Sequence, residues 1–361
     1  RECVEREWRP FFWSADLPVQ VPGNADIIEL KGSGYYSYLL QFENWEDYQA
    51  TLKEMRSRKI PCDSLRPPEH QFLVQENRHL FEDMLFTDLR RCQIDIETAS
   101  SVDGGFSNPR LKEDRILSIG LCMNGENTFL HLESFTDQAE RELLKQFCQY
   151  LQEKDPDTLE GHNLHNFDLD YLRQRSRRFK LPCTWGRENT EARHRSSRLR
   201  VAERWIDYTR YDVPGRTVVD TYFLIMMYDI TARDVPGYSL KAAALYFGIS
   251  DEESRTYLPG DQIASQFTED RETFVAYLAD DLRETAGLAD ILLPTYVAQA
   301  GNFCMTLQEI MLRGTGSKVD LLFLEKYYHA QTSLPAPQSV GKYAGGFTKS
   351  YESGVFPSVL H

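Results

Sequence analysis

Ile94-Asp95-Ile96-Glu97-Thr98 decides how this chain folds. Apolar β-branched residues alternate with acids, a period of two that predicts a strand with Ile94 and Ile96 on one face and Asp95 and Glu97 together on the other. Two more acidic stretches follow, Asn163-Leu164-His165-Asn166-Phe167-Asp168 and Tyr277-Leu278-Ala279-Asp280-Asp281. In a helix Tyr277 and Asp281, four apart, share a face; Asp280 competes with Asp281 as a ligand, and the four-residue step favours Asp281. Crowding Asp95, Glu97, Asp168 and Asp281 into one site raises their pKa values through mutual repulsion, and divalent Mg²⁺ or Mn²⁺ is the usual counter-charge for an all-oxygen ligand set. Two such ions about 3.5 to 4 Å apart clamp an in-line displacement at phosphorus, one activating water and the other stabilising the leaving oxygen. Tyr277, with an unperturbed pKa of about 10, is a poor base and is better suited to orienting that water.

Outward from the first strand, residues 115–123 and 128–132 read as two more, joined by the hairpin signal Asn124-Gly125-Glu126-Asn127. A helix over 137–152 carries a stripe of Leu143, Leu144, Phe147, Cys148 and Leu151, with Asp137 and Glu140 in capping spacing. Short strands at 158–161 and 217–220, helices over 168–179 and 221–228, and a long helix over 270–297 complete the series. Three strands, a helix, then alternating strand and helix is the ribonuclease-H-like order, an α/β fold with a mixed sheet between helices. It places Asp95 and Glu97 on the central strand, Asp168 at a strand-to-helix junction and Asp281 on the last helix.

Residues 1–85 read as a smaller β-rich or α+β domain, with aromatic and β-branched runs at 35–42 and 71–75 and a helix over 44–58. Residues 86–300 form the second domain. Residues 301–361 turn helical at 307–311 and 321–330 and then loosen into a Pro-rich linker at 333–339.

The 361 residues carry a net charge of −14, unusual for a partner of nucleic acid. Between Arg173 and Arg204, however, eleven Lys or Arg stand against three Glu. That stretch is either a solvated arginine-rich loop or a DNA-contacting loop beside the site. Seven cysteines without a Cys-x-x-Cys pair argue against a disulfide framework or a zinc site. No apolar run approaches the roughly 20 residues that span a bilayer, and the expectation is a soluble intracellular protein with no membrane partner, cytoplasmic at the nucleoid in a prokaryote.

The three acidic stretches resemble, in order and spacing, the three exonuclease motifs of the DEDD 3'-5' exonucleases, and Tyr277-x-x-x-Asp281 marks the tyrosine branch found in family B DNA polymerases. Arg90-Arg91-Cys92-Gln93 leading into Asp95 is similar to that family's approach to its first motif, and Tyr343-Ala344-Gly345-Gly346 looks like its Tyr-x-Gly-Gly segment. The resemblance implies metal ligation by Asp95, Glu97, Asp168 and Asp281, catalysis by these with Tyr277, and DNA contacts at Thr98, Asn163, Phe167, Tyr343, Gly345 and Gly346. It implies as partners single-stranded or frayed primer-template DNA and the remainder of a polymerase chain; these motifs do not disclose a sliding clamp. The aspartate motifs of nucleotide addition are absent from the sequence, and a start at Arg1 with an end at His361 reads as a proofreading fragment.

Each acid alone has an ordinary explanation: alternation on a half-exposed strand, a helix N-terminal acid at Asp168, a solvated helix face at Asp281. Phe167 is equally well a core aromatic. Asp220 is either a supporting acid or a helix cap, with capping the better reading. His162 and His165 lack metal-ligand spacing, and Gly314-Thr315-Gly316-Ser317-Lys318 lacks that of a phosphate loop. Two rival functions share the sequence: a stand-alone 3'-5' exonuclease in DNA or RNA processing, and a non-catalytic template-binding module.

Overall fold

A computed structural model describes residues 7–18, 25–102, 105–251, 255–338 and 354. The chain forms two compact units, residues 1–64 with 330–361, and residues 65–329. In the first, β1 (Phe11–Ser14), β2 (Asp26–Glu29), β3 (Tyr38–Gln41) and β4 (Cys62–Asp63) make an antiparallel sheet in the order β2-β3-β1-β4. Helix α1 (Trp45–Ser57), capped by Asn44 accepting from the Asp47 N–H, packs Tyr48, Leu52 and Met55 against Phe12, Leu40 and Phe42. Ser333 and Leu334 are buried here too, Leu334 paired with Tyr36 and the Ser333 hydroxyl accepting from the Gly34 N–H at 2.7 Å.

The second unit opens with α2 (Pro68–Gln75), so the apolar run at 71–75 is helical rather than extended; Pro68 in its first turn favours the helix. Its five-stranded sheet comprises β5 (Arg91–Thr98), β6 (Ile116–Met123), β7 (Glu126–His131), β8 (Thr158–Gly161) and β11 (Thr217–Asp220), in the order β11-β8-β5-β6-β7. Strands β5, β8 and β11 are parallel, while β6 and β7 are antiparallel additions joined through Asn124 and Gly125, both at positive φ. This is the expected ribonuclease-H-like mixed sheet. Helices α3 (Asp137–Lys154) and α4 (Asp168–Arg178) pack together on one face. Across the other lies α8 (Arg271–Ala300), contacted by α5 (Thr221–Ala232), α6 (Leu240–Tyr246) and α7 (Ile263–Glu269).

The arginine-rich stretch is not a loop. It runs from α4 into β9 (Arg193–Val201), which pairs with β10 (Arg204–Asp212) in a two-stranded ribbon. Leu199 and Tyr208 bury one side of that ribbon against Phe223 and Met226, and alternation exposes Arg198 and Arg200 on the other, while Arg204 is exposed at the turn. After α9 (Leu307–Leu312), the glycine-rich stretch at 314–318 enters α10 (Thr315–Ala330), where Lys318 bonds Gln299 at 2.7 Å.

The cap of α3 is Thr136, not Asp137. Glu140 is thereby released for another task. Fully buried, it takes both arms of the equally buried Arg175 guanidinium, at 2.7 and 2.5 Å, and accepts from the Ile116 N–H at 3.1 Å. Arg175 also donates to the Pro109 and Leu111 carbonyls. One ion pair thus joins α3, α4, β6 and the 109–112 loop. Removing one partner leaves a buried charge uncompensated, so Arg175→Ala is expected to lower stability by about 3 to 5 kcal/mol in urea denaturation. A loss under about 1 kcal/mol would show that the pair contributes little.

Candidate active site

The carboxyl ends of β5, β8 and β11 share one edge of the sheet, the usual place for a site in an α/β fold. Strand β8 pairs with β5 only at Arg91–Gln93, so beyond that point β5 has no neighbour on this side. Into the opening comes the head of α4, and Asp168 accepts the unpaired Ile96 N–H at 3.1 Å. Asp95 and Glu97 project from β5 toward α8. Their spacing from that helix is set by Gly120, which pairs with Asp95 across the β5–β6 ladder; a Cβ there would lie 2.8 Å from the buried Leu278 side chain. The missing side chain lets α8 settle on the sheet one turn from Asp281.

Asp95, Glu97 and Asp281 each offer an oxygen within 4.8 Å of the others. Asp168 stands outside that set and adds its charge from the flank. The Tyr277 hydroxyl bonds Asp281. Asp280 turns away to accept from the Thr256 N–H at 2.8 Å and to pair with Arg283, which leaves Asp281 as the residue facing β5.

Burial, then repulsion from Asp281 and Asp168, pushes Asp95 and Glu97 well above the ordinary carboxylate range. Burial raises Asp168 to about 8 and Asp281 to about 6, the latter opposed by Arg255. Burial and the neighbouring carboxylates also push Tyr277 up, which removes it further from service as a base. The Oδ2 atom of Asp95 is buried without a hydrogen-bond partner. An orphaned carboxylate oxygen within a set of converging acids suits a hard divalent cation, and Asp95, Glu97 and Asp281 could hold one.

Several contributors escape the sequence. Arg255 donates to Asp281 and, at 2.7 Å, to Glu284, which is fully buried one turn along α8. Lys241 of α6 lies over the Tyr257 ring at 4.2 Å, and its positive charge lowers the Glu97 pKa. The step from Asp281 to Glu284 was visible as a shared helix face; Arg255 and Lys241 had no signal, because tertiary contacts from a loop and a short helix place them. Asp220 caps α5 through the Tyr222 N–H and also cradles the second acidic stretch, accepting from the Asn163 and His165 N–H groups at 2.9 and 3.0 Å. It therefore fills both roles. Asn163 takes the left-handed conformation, φ 62°. Phe167 is exposed, its ring leaning on Tyr171, and is not a core residue. The Thr98 hydroxyl pairs with Ser107 at 2.7 Å. His162 and His165 are tied to Tyr238, Thr221 and the Tyr211 N–H, and burial lowers them to about 4 and about 3. Tyr343, Gly345 and Gly346 lie outside the described residues.

Residues 67–243 match the family model for the exonuclease domain of DNA polymerase family B. DNA polymerase 2 of Aeropyrum pernix is 25% identical over 291 residues, covering 79% of this chain and 34% of that protein. The DNA polymerase of Archaeoglobus fulgidus is 25% identical over 283 residues, covering 76% and 32%. The structure of the family B DNA polymerase from Pyrobaculum calidifontis aligns with a TM-score of 0.69 at 19% identity, over 94% of this chain and 48% of that one. Residues 67–243 are thus similar to a family B DNA polymerase exonuclease domain. The chain spans about a third of the length of the curated relatives it matches. The family match contains Asp95, Glu97 and Asp168 but stops before Tyr277 and Asp281; the structure brings Asp281 of α8 to Asp95 and Glu97. Among the described residues no helix is long and apolar enough to cross a membrane.

The raised carboxyl pKa values carry a stability consequence. A carboxyl group whose pKa is higher folded than unfolded destabilises the fold progressively as pH rises from the unfolded value, about 3.9 for Asp, through the folded one. With Asp281 at about 6 and Asp168 at about 8, the ion-free site loses stability between about pH 4 and 8. In EDTA, Asp95→Asn is expected to raise Tm at pH 8 and to change it little at pH 4.5, and added Mn²⁺ to stabilise the wild type more at pH 8. Differential scanning fluorimetry checks this, and a lower Tm for the variant at pH 8 would contradict it.

Proposed function

We propose that the site is a two-metal-ion 3'-5' exodeoxyribonuclease, the proofreading part of a family B DNA-directed DNA polymerase. The convergence of Asp95, Glu97 and Asp281, with an orphaned buried oxygen on Asp95, carries the reading; the family match supports it. Bound Mg²⁺ or Mn²⁺, held by these three with Asp168 completing the set, supplies water activation and neutralises charge developing at phosphorus. The protein does the rest. Tyr277, kept protonated by burial and its acidic surroundings, orients the attacking water through its hydroxyl while Asp281 accepts from it. Exposed Phe167 at the head of α4 offers a ring for the terminal base, and base–aromatic stacking is worth about 1 to 3 kcal/mol. Asn163, its backbone N–H held by Asp220, stands four residues before Phe167. Arg255 and Lys241 balance the acids until substrate and ions arrive.

The substrate is a single-stranded or frayed 3' end, released one nucleoside monophosphate at a time, and the natural setting is the remainder of a polymerase chain. With 5'-labelled single-stranded DNA and Mg²⁺ or Mn²⁺, stepwise shortening from the 3' end is expected, with none in EDTA. Asp95→Ala with Glu97→Ala should lower the rate by at least about 10³-fold and leave DNA affinity within a few-fold. Wild-type hydrolysis by the double variant would refute the site; binding without any metal-dependent cutting would favour a template-holding module.

A further inference from the structure

The exposed face of α4 continues beyond the acids into a cleft of about 630 Å³ lined by Arg110, Arg173, Arg177 and Arg178, with Asp170 its only acid. Phe167, Asp170, Arg173 or Gln174, and Arg177 follow one another at steps of three and four, one stripe along the helix. At about 1.5 Å per residue, Arg177 lies roughly 13 Å beyond Asp168 along the helix axis.

Asp170 cannot neutralise the cleft. Its oxygens already accept from Arg173 at 2.8 Å, Tyr211 at 2.9 Å and Gln174 at 2.5 Å. Arg178 has only a 3.8 Å approach to Asp137, whose carboxylate is held more closely by Arg115 at 2.5 Å. Among the described residues Arg110 and Arg177 have no carboxylate partner, and both side chains are exposed. A helix macrodipole accounts for cations in the last turn of α4 but not for Arg110, which arrives from a separate segment. That segment is not loosely placed: the Pro109 and Leu111 carbonyls on either side of Arg110 both accept from the buried Arg175. In a chain of net charge −14, four guanidinium groups with one occupied acid are gathered in one cleft along the helix that Asp168 begins.

We propose that this cleft is an exosite for the phosphate backbone of single-stranded DNA, gripping the strand several nucleotides upstream of the 3' end held at Asp95, Glu97 and Asp281. It rests on the nuclease reading for the strand's direction, and on its own charge for the binding. Planar guanidinium forks suit phosphate oxygens, and contacts to backbone alone make the grip independent of sequence.

The test measures binding by the 361-residue chain in EDTA, by fluorescence anisotropy with labelled oligothymidylates of three and twelve nucleotides across a range of KCl. Each phosphate neutralised on a single strand contributes about 0.7 to the slope of log affinity against log salt. Arg110→Ala with Arg177→Ala is therefore expected to reduce the twelve-mer slope by about 1.4, weakening binding about 25-fold at 0.1 M salt and little near 1 M. The trimer's affinity and its Mg²⁺-dependent hydrolysis should stay at wild-type levels, and Arg110→Lys with Arg177→Lys should restore the slope. An unchanged twelve-mer slope, an equal loss for the trimer, or no binding of the twelve-mer by the wild type would each overturn the exosite. Failure of the wild type to hydrolyse either oligonucleotide, with the arginine-dependent slope intact, would instead overturn the nuclease reading.

Discussion

Everything at this site answers to the repulsion among carboxylates that the fold forces together. Period-two alternation on β5 commits Asp95 and Glu97 to the same face, and α8 brings Asp281 within 4.8 Å of both. Burial removes the water that would screen them. The structure offsets this only in part: Arg255 on Asp281, Lys241 near Glu97, the Ile96 N–H on Asp168 and three backbone N–H groups on Asp220. One oxygen of Asp95 is still unmatched. A site left electrostatically incomplete is primed to take divalent cations, and the incompleteness is held by rigid elements rather than by loops.

The scaffold shows how that is done. Gly120 sets how closely α8 approaches the sheet, and the early end of the β5–β8 ladder opens the gap that Asp168 fills. Asp220, at the end of the outermost parallel strand, holds the backbone of 163 and 165 so that α4 begins where it must. Two levels of polar burial are therefore distinguishable. The Arg175–Glu140 pair is satisfied and structural; the Asp95, Glu97 and Asp281 set is unsatisfied and available for chemistry.

Much of this was legible in the sequence wherever local periodicity coincides with tertiary role. Strand β5, the long helix and the preference for Asp281 over Asp280 follow from spacing of two or four, and the hairpin from its turn residues Asn124 and Gly125. The reading failed where context outweighs pattern. The run at 71–75 is apolar enough for either state, and the proline ahead of it tipped it to helix. Glu140 looked like a cap because its distance from Asp137 suits one, yet its carboxylate reaches into the core for Arg175. Phe167 looked equally suited to the core, but it stands exposed at the helix head. Arg255 was invisible because nothing local marks an arginine in an irregular segment as the partner of an acid on a helix 26 residues later.

The account's central claim is that these carboxylates are a cation site, and anomalous scattering from Mn²⁺-soaked crystals of the 361-residue chain tests it most directly. The account predicts strong Mn²⁺ peaks in coordinating contact with Asp95, Glu97 and Asp281, with the Arg255 guanidinium drawn off Asp281 toward Glu284. Mn²⁺ bound elsewhere, with Arg255 still on Asp281 and the Asp95 oxygen still without a partner, would contradict it.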